Sequence, residues 1–304
     1  MLTARIRDTI SECISQAQSG SDEAKERALQ TLASITRVSP LNRSSLAQAD
    51  GAIPAFLRLT ESNSTVLQAL SLSILFNLSL NPDLKRPLAD METMHHLNSI
   101  ILSPGSPESS RLAASLICSL AMLDKNKAKF GVAGTIQALI KAISGPPKVA
   151  SHHLLSSLAE LVQFHGNCTL AVRSGAVPML LGLVATAEGE DLAGTSLAIL
   201  CLLARFDEGL NALIRTDKIV TSMMNVLKGR CMLSKEGAAE ILVRLFDESD
   251  GCTREALRLP EFSTVLADLS VRGSARAREK AGFLMRKLME AYSYADGNEL
   301  PLQW

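Results

Sequence analysis

Two columns of apolar residues run through the chain at one nearly constant interval, and any fold for it must repeat at that interval. In the first column Ile53, Met94, Ile136, Val177, Ile219 and Phe262 follow one another by 41, 42, 41, 42 and 43 residues. In the second, Ile35, Leu78, Leu120, Leu161, Leu203 and Leu245 follow by 43, 42, 41, 42 and 42. Two separate columns holding one period leave little room for coincidence. Below members of the first column apolar residues recur at helical spacing, as at Leu139, Ile140 and Ile143. That is the stripe of an amphipathic helix. Only 4% of the residues are aromatic against 47% apolar, so the core must be built from Leu, Ile, Val and Ala. Such a core suits closely packed helices better than a β-sandwich or barrel. The pattern predicts an all-α chain in which no unit buries its apolar face alone and stacked neighbours share one core.

The joints between helices narrow the choice. Gly51, Gly134 and Gly175 each stand two residues before a member of the first column, where a short helix meets the next. Glycine readily takes the left-handed backbone such a corner needs. Pro54 and Pro178 follow near the start of the next helix, where a missing N–H does no harm. In the other units Glu92, Asp217 and Pro260 replace the glycine. A period near 42 with these corners resembles the armadillo repeat and lies outside the 33 to 34 residues of ankyrin and tetratricopeptide units. The resemblance covers about residues 23–290 and implies a right-handed α-solenoid of about six to seven armadillo repeats. SLAILCLLARFDEGLNAL, KGRCMLSKEGAAEILVRLF and SARAREKAGFLMRKLMEA are similar to the armadillo domains of plant U-box ubiquitin ligases and their U-box-less relatives.

Boundaries follow from turn-forming segments. Residues 1–22 form a leading helix and an SGSD linker, 23–290 the repeats, and 291–304 a polar tail, YADGNELPLQW being its end. Units are expected to begin near Glu23, Thr65, Glu108, Lys148, Asp191, Met232 and Arg276. About 22 residues precede the first unit, too few for the U-box that the family places there, so the chain is expected not to transfer ubiquitin by itself. It could equally be a piece of a longer ligase.

Chemistry is sparse. Lys plus Arg equals Asp plus Glu at 31 each, without the basic excess of a protein held by nucleic-acid phosphates. The longest apolar run, Leu197 to Ala204, is far short of a membrane span. The start carries charges within its first eight positions, unlike a secretory signal, so a cytoplasmic or nuclear setting is expected. None of the six cysteines forms a C-x-x-C pair, and most sit in apolar helical stretches as core thiols. His165 and Cys168 stand close in FHGNC, yet Asn167 precedes Gly175 by eight residues as Asn126 precedes Gly134, so the phrase reads as a turn that the repeat requires. His95–His96 and His152–His153 are neighbours about 100° apart on a helix and poor joint metal ligands. Phosphate-loop, dinucleotide, zinc-protease and nucleophile-elbow motifs are missing. No catalytic, cofactor or metal site is expected.

Function should therefore lie on the surface. The armadillo resemblance implies that the last helix of each unit lines a concave groove for extended peptides or partner helices. One position before the second column this row reads Ser34, Asn77, Ser119, Glu160, Leu202 and Arg244, closed by Arg286 or Lys287. Nuclear-import adaptors of the family repeat Asn in this row and Trp four residues earlier. Here only Asn77 remains, the earlier places hold Gln30, Ser73, Ser115, Ser156, Ala198 and Glu240, and the sole tryptophan is Trp304. From Arg254 to Glu290 eight basic residues face five acidic ones: a solvated helix face, a docking patch for an acidic or phosphorylated segment or, third, a membrane-surface patch. The reading is a non-catalytic adaptor in ubiquitin-linked signalling, with a transport receptor as the alternative.

Overall fold

The computed structural model describes residues 2–145, 149–186 and 190–296. Among the described residues there are 20 α-helices and one 3-10 turn, and no strand. The second apolar column lies on six helices, α2 (Asp22–Val38), α5 (Thr65–Ser79), α8 (Pro107–Ala121), α11 (Ser151–Leu161), α14 (Glu190–Leu203) and α17 (Met232–Glu248), which with the last helix, α20 (Ala275–Asp296), are here called the ladder helices. Between them lie helix pairs: α3 (Pro40–Ala47) with α4 (Ala52–Thr60), α6 (Lys85–Leu88) with α7 (Met91–Leu102), α9 (Asp124–Val132) with α10 (Thr135–Ile143). The series continues with α12 (His165–Arg173) and α13 (Ala176–Thr186), α15 (Asp207–Ile214) and α16 (Ile219–Lys228), α18 (Asp250–Leu257) and α19 (Phe262–Arg272). The leading helix α1 (Leu2–Ser19) packs on α2, α3 and α4.

Six ladder helices begin at or within one residue of the positions read from the sequence; the start expected at Lys148 lies outside the described residues. The last helix runs to Asp296, six residues into the stretch expected to be a loose tail; Trp304 lies outside the described residues.

The described residues form two compact units, divided between Asn167 and Cys168. In the first, α2, α5, α8 and α11 stack in order; in the second, α14, α17 and α20 do so. Leu78, Leu120 and Leu161 of the second column are fully buried in the first unit, as Leu203 and Leu245 are in the other. Each such side chain stabilises the stack by about 1.5–3 kcal/mol relative to exposure. Ile35, on the first ladder helix, is only half-buried. Ser21, Ser64 and Ser106 cap α2, α5 and α8, their side chains accepting from Ala24, Leu67 and Ser109 amides.

Five of the six corners form in three ways. Gly51, Gly134 and Gly175 have φ of 69°, 78° and 85°, the left-handed backbone expected of them. In the unit where Asp217 stands in the glycine column, the left-handed residue is Lys218, one position later, at φ 56°. In the unit of Glu92 that residue lies inside α7, and Asp90 caps the helix by accepting from Thr93 at 2.7 Å. The recurring asparagines close the opposite corner. Asn126 donates to the Lys85 and Leu120 carbonyls, both at 3.0 Å, and Asn167 to those of Lys127 and Leu161 at 2.8 and 3.0 Å. Each amide thus ties its own corner to the preceding one.

Candidate functional site

The residues of the row meet different fates. Ser34 is exposed on α2. Asn77 is buried, and its amide donates to the Ala33 carbonyl and to Thr36 Oγ1, both at 3.1 Å. Ser119 is buried as well, accepting from Ser79 Oγ at 2.8 Å and donating to the Ser79 carbonyl at 3.2 Å. Lys85 adds a bond to the Ser119 carbonyl, and burial lowers the pKa of that ammonium. Glu160 is half-buried and bonded to Lys127 at 2.9 Å. In the first unit, then, three of the four residues join helices to one another, and only Ser34 presents its side chain outward. One-position spacing alone does not separate an outward direction from the seam between helices, because each ladder helix presses against the next.

The second unit is more open. Leu202 is half-buried. Arg244 pairs with Glu240 at 3.0 Å, and the same carboxylate receives Lys280 at 3.0 Å. Burial by itself would raise the Glu240 carboxyl, but the bond to Lys280 and the charges of Lys280 and Arg244 outweigh it and hold the pKa below the usual range. Lys287 pairs with Asp247 at 2.9 Å and stands 5.5 Å from the centre of the Phe283 ring. Arg286 is exposed. Arg244, Arg286 and Lys287 thus stand at the C-terminal end of the row, two of them already bound to carboxylates.

A hollow of about 300 Å³ opens on this ladder face, bounded by α14, α17 and α20. Its walls are Gly194, Leu197, Ala198, Cys201, Leu233 and Gly237. Glu236, Glu240, Arg276 and Lys280 also line it. Small residues make the space. A Cβ at Gly194 would meet nothing nearer than Ser234 Oγ at 4.0 Å, and one at Gly237 would make ordinary contact with Leu197 and Cys201. Cys201 Sγ donates to the Gly237 carbonyl at 3.4 Å, and burial pushes its pKa to about 11. Reading the row alone missed this hollow. Its signal was present: Gly194 and Gly237 lie within helical stretches rather than at corners, a placement that calls for a packing reason.

The FHGNC phrase is structural. Cys168 is buried, donates to the Leu203 carbonyl at 3.9 Å, and burial pushes its pKa to about 11, the reverse of what a nucleophilic thiol requires. His96 bonds Thr60 Oγ1 and pairs with Glu61, and His153 bonds Ser115 Oγ, while His95 and His152 are exposed. No group of three or more His, Cys, Asp or Glu side chains suited to a metal ion occurs among the described residues.

Ladder helices joined by short helix pairs at a period near 42 define an armadillo repeat protein. An engineered protein of known structure superposes with a TM-score of 0.78 at 17% identity, over 95% of this chain and 72% of its own. A designed armadillo repeat protein in complex with the peptide (KR)4 superposes with a TM-score of 0.70 at 16% identity, over 78% of this chain and 99% of its own. The family model of the plant U-box protein ARM repeat region matches residues 5–296, and the chain belongs to that family. U-box domain-containing protein 8 of Arabidopsis thaliana is 30% identical over 70% of this chain and 55% of its own length. U-box domain-containing protein 17 of the same plant is 26% identical over 91% of the chain and 38% of its own length. The chain therefore spans about half, or less, of these relatives.

Proposed function

We propose that the chain is a protein-binding scaffold of plant ubiquitin signalling, holding a partner segment on its ladder-helix face without catalysing a reaction there. The observation that carries this reading is the hollow beside Glu240, Arg244 and Lys280, where an open, mostly apolar surface meets a row of charges. Membership in the U-box ARM family supports the ubiquitin setting, and a cytoplasmic or nuclear location goes with it. The designed relative holds a basic peptide. Here the C-terminal stretch carries a surplus of cations, so its complement is an acidic or phosphorylated segment. Ser115, in the column where import adaptors carry tryptophan, is bonded to His153, which supports the scaffold over a receptor for basic import signals.

The test is capture from plant extract by the wild-type chain and by an Arg276→Glu/Arg286→Glu double variant, with Lys141→Glu as control. Binding should fall by about tenfold in the double variant alone, as for losing one well-placed charge contact. Partners captured equally by all three chains would overturn the reading. Captured proteins with no relation to ubiquitin transfer would remove its signalling half.

A further inference from the structure

The hollow in the second unit is shaped for one thing. Its walls are apolar, it opens outward, and at about 300 Å³ it lies at the small end of ligand pockets. That room suits a single large side chain of the kind that anchors an interface, better than a cofactor or a nucleotide. Gly194, Ala198 and Gly237 withhold the side chains that would otherwise fill it, on helices where glycine weakens the backbone.

The rim says what stands next to that side chain. Arg244 and Lys280 share the one carboxylate of Glu240, and Glu236 accepts from the Ser274 hydroxyl. Arg276 is exposed at the edge of the hollow, with no ion-pair partner within 4.0 Å among the described residues. The lining carries two cations, Arg276 and Lys280, against two carboxylates, Glu236 and Glu240; with Arg244 adding a second cation to Glu240 from one turn further along α17, Arg276 is the lining cation left without a carboxylate. A guanidinium at the mouth of an apolar hollow offers paired donors to a carboxylate or phosphate.

We propose that this hollow is the anchor site for a partner segment that inserts one leucine, methionine or phenylalanine between α14 and α17 and sets an acidic residue against Arg276. The assignment rests on the scaffold function proposed above and adds to it the side-chain pattern of the partner. An acidic neighbour is favoured over a basic one because Lys280 and Arg244 already satisfy Glu240 and the Ser274 hydroxyl engages Glu236, whereas the exposed Arg276 has no carboxylate.

The test is a selection of random displayed peptides on the purified 304-residue chain, with fluorescence anisotropy of the synthesised winners. Enriched peptides should share a large apolar residue next to Asp or Glu. Ala198→Leu, whose added carbons enter the hollow from an exposed position, should weaken them by about tenfold or more. Arg276→Glu should weaken them and flatten the dependence on salt. Gly194→Leu fills the same space and gives a second reading should Ala198→Leu unfold the chain. Winners that ignore both filling variants yet lose affinity on changing Arg286 would leave the scaffold function standing and overturn the anchor site. Basic winners would overturn it too, and failure to enrich any peptide would overturn both.

Discussion

Lys127 reaches from α9 to Glu160 on α11, Nζ to Oε1 2.9 Å, with only 6% of the lysine side chain exposed. The same ammonium holds Asp124 at 2.9 Å and Gln163 Oε1 at 3.3 Å. Burial alone would depress this lysine; its bonds to Glu160 and Asp124 outweigh that and raise the pKa above the usual value. A residue read as part of the binding row is thus a strut between helices. Lys127→Met should lower stability by about 1–3 kcal/mol, the usual worth of hydrogen bonds to charged groups plus the stranded half-buried Glu160. Urea unfolding of the variant checks it. A midpoint equal to wild type would show that Glu160 stands free.

Two glycines on neighbouring helices should respond with opposite sign to the same added methyl. At Gly209 a Cβ would lie far inside contact distance of the Leu203 carbonyl, which is backbone and cannot step aside. Gly209→Ala should cost about 1–3 kcal/mol or more. At Gly194 the nearest atom is Ser234 Oγ at 4.0 Å, so alanine gains helix propensity without a clash. Gly194→Ala should stabilise by about 0.5–1 kcal/mol. Thermal melts of the two single variants decide it; a shift of the same sign in both would refute the geometry.

The sequence columns at Leu78, Leu120 and Leu203 are legible because burial repeats wherever the helix does. The corners at Gly51, Gly134 and Gly175 are legible because a left-handed backbone selects a residue type. Lys218 takes that backbone without the glycine, so its corner is displaced by one residue from the alignment. The site is harder. Asn77 and Ser34 occupy equivalent places in the repeat, yet Asn77 has a preceding ladder helix to bond and Ser34 does not. Position in a repeat gives the helix face, while the partner of a polar atom depends on the neighbouring unit. The hollow is hidden for a related reason: it is made by side chains that are missing at Gly194, Ala198 and Gly237, and a search for chemical groups passes over them.

The thiols should report the same burial. Thiolate is the reactive form, and burial pushes Cys168 and Cys201 to about 11. At neutral pH both should resist a disulfide reagent such as Ellman's until the chain is unfolded in urea, when all six cysteines react. Rapid labelling of Cys201 in the native chain, located by peptide mass mapping, would mean that the hollow is deeper and wetter than its walls imply.

Glu240 ties the site to stability, and acid should separate the two. Its folded pKa lies below the usual value because Lys280 and Arg244 outweigh the effect of burial. The unfolded chain therefore takes up this proton first as pH falls. Stabilisation by the carboxylate is complete above the unfolded glutamate pKa, about 4.3, and is lost as pH drops through the lower folded value. Glu108, held down by its bond to Arg111, acts in the same direction. Glu240→Gln should melt lower than wild type at neutral pH, and the gap should close as the pH falls well below 4.3. The substitution also frees Arg244 and Lys280 from their shared partner, so acidic peptides should bind the variant at neutral pH at least as well as wild type. A gap in melting temperature that persists unchanged in acid would mean that Glu240 acts through packing, and weaker binding of acidic peptides would mean that it orients the two cations.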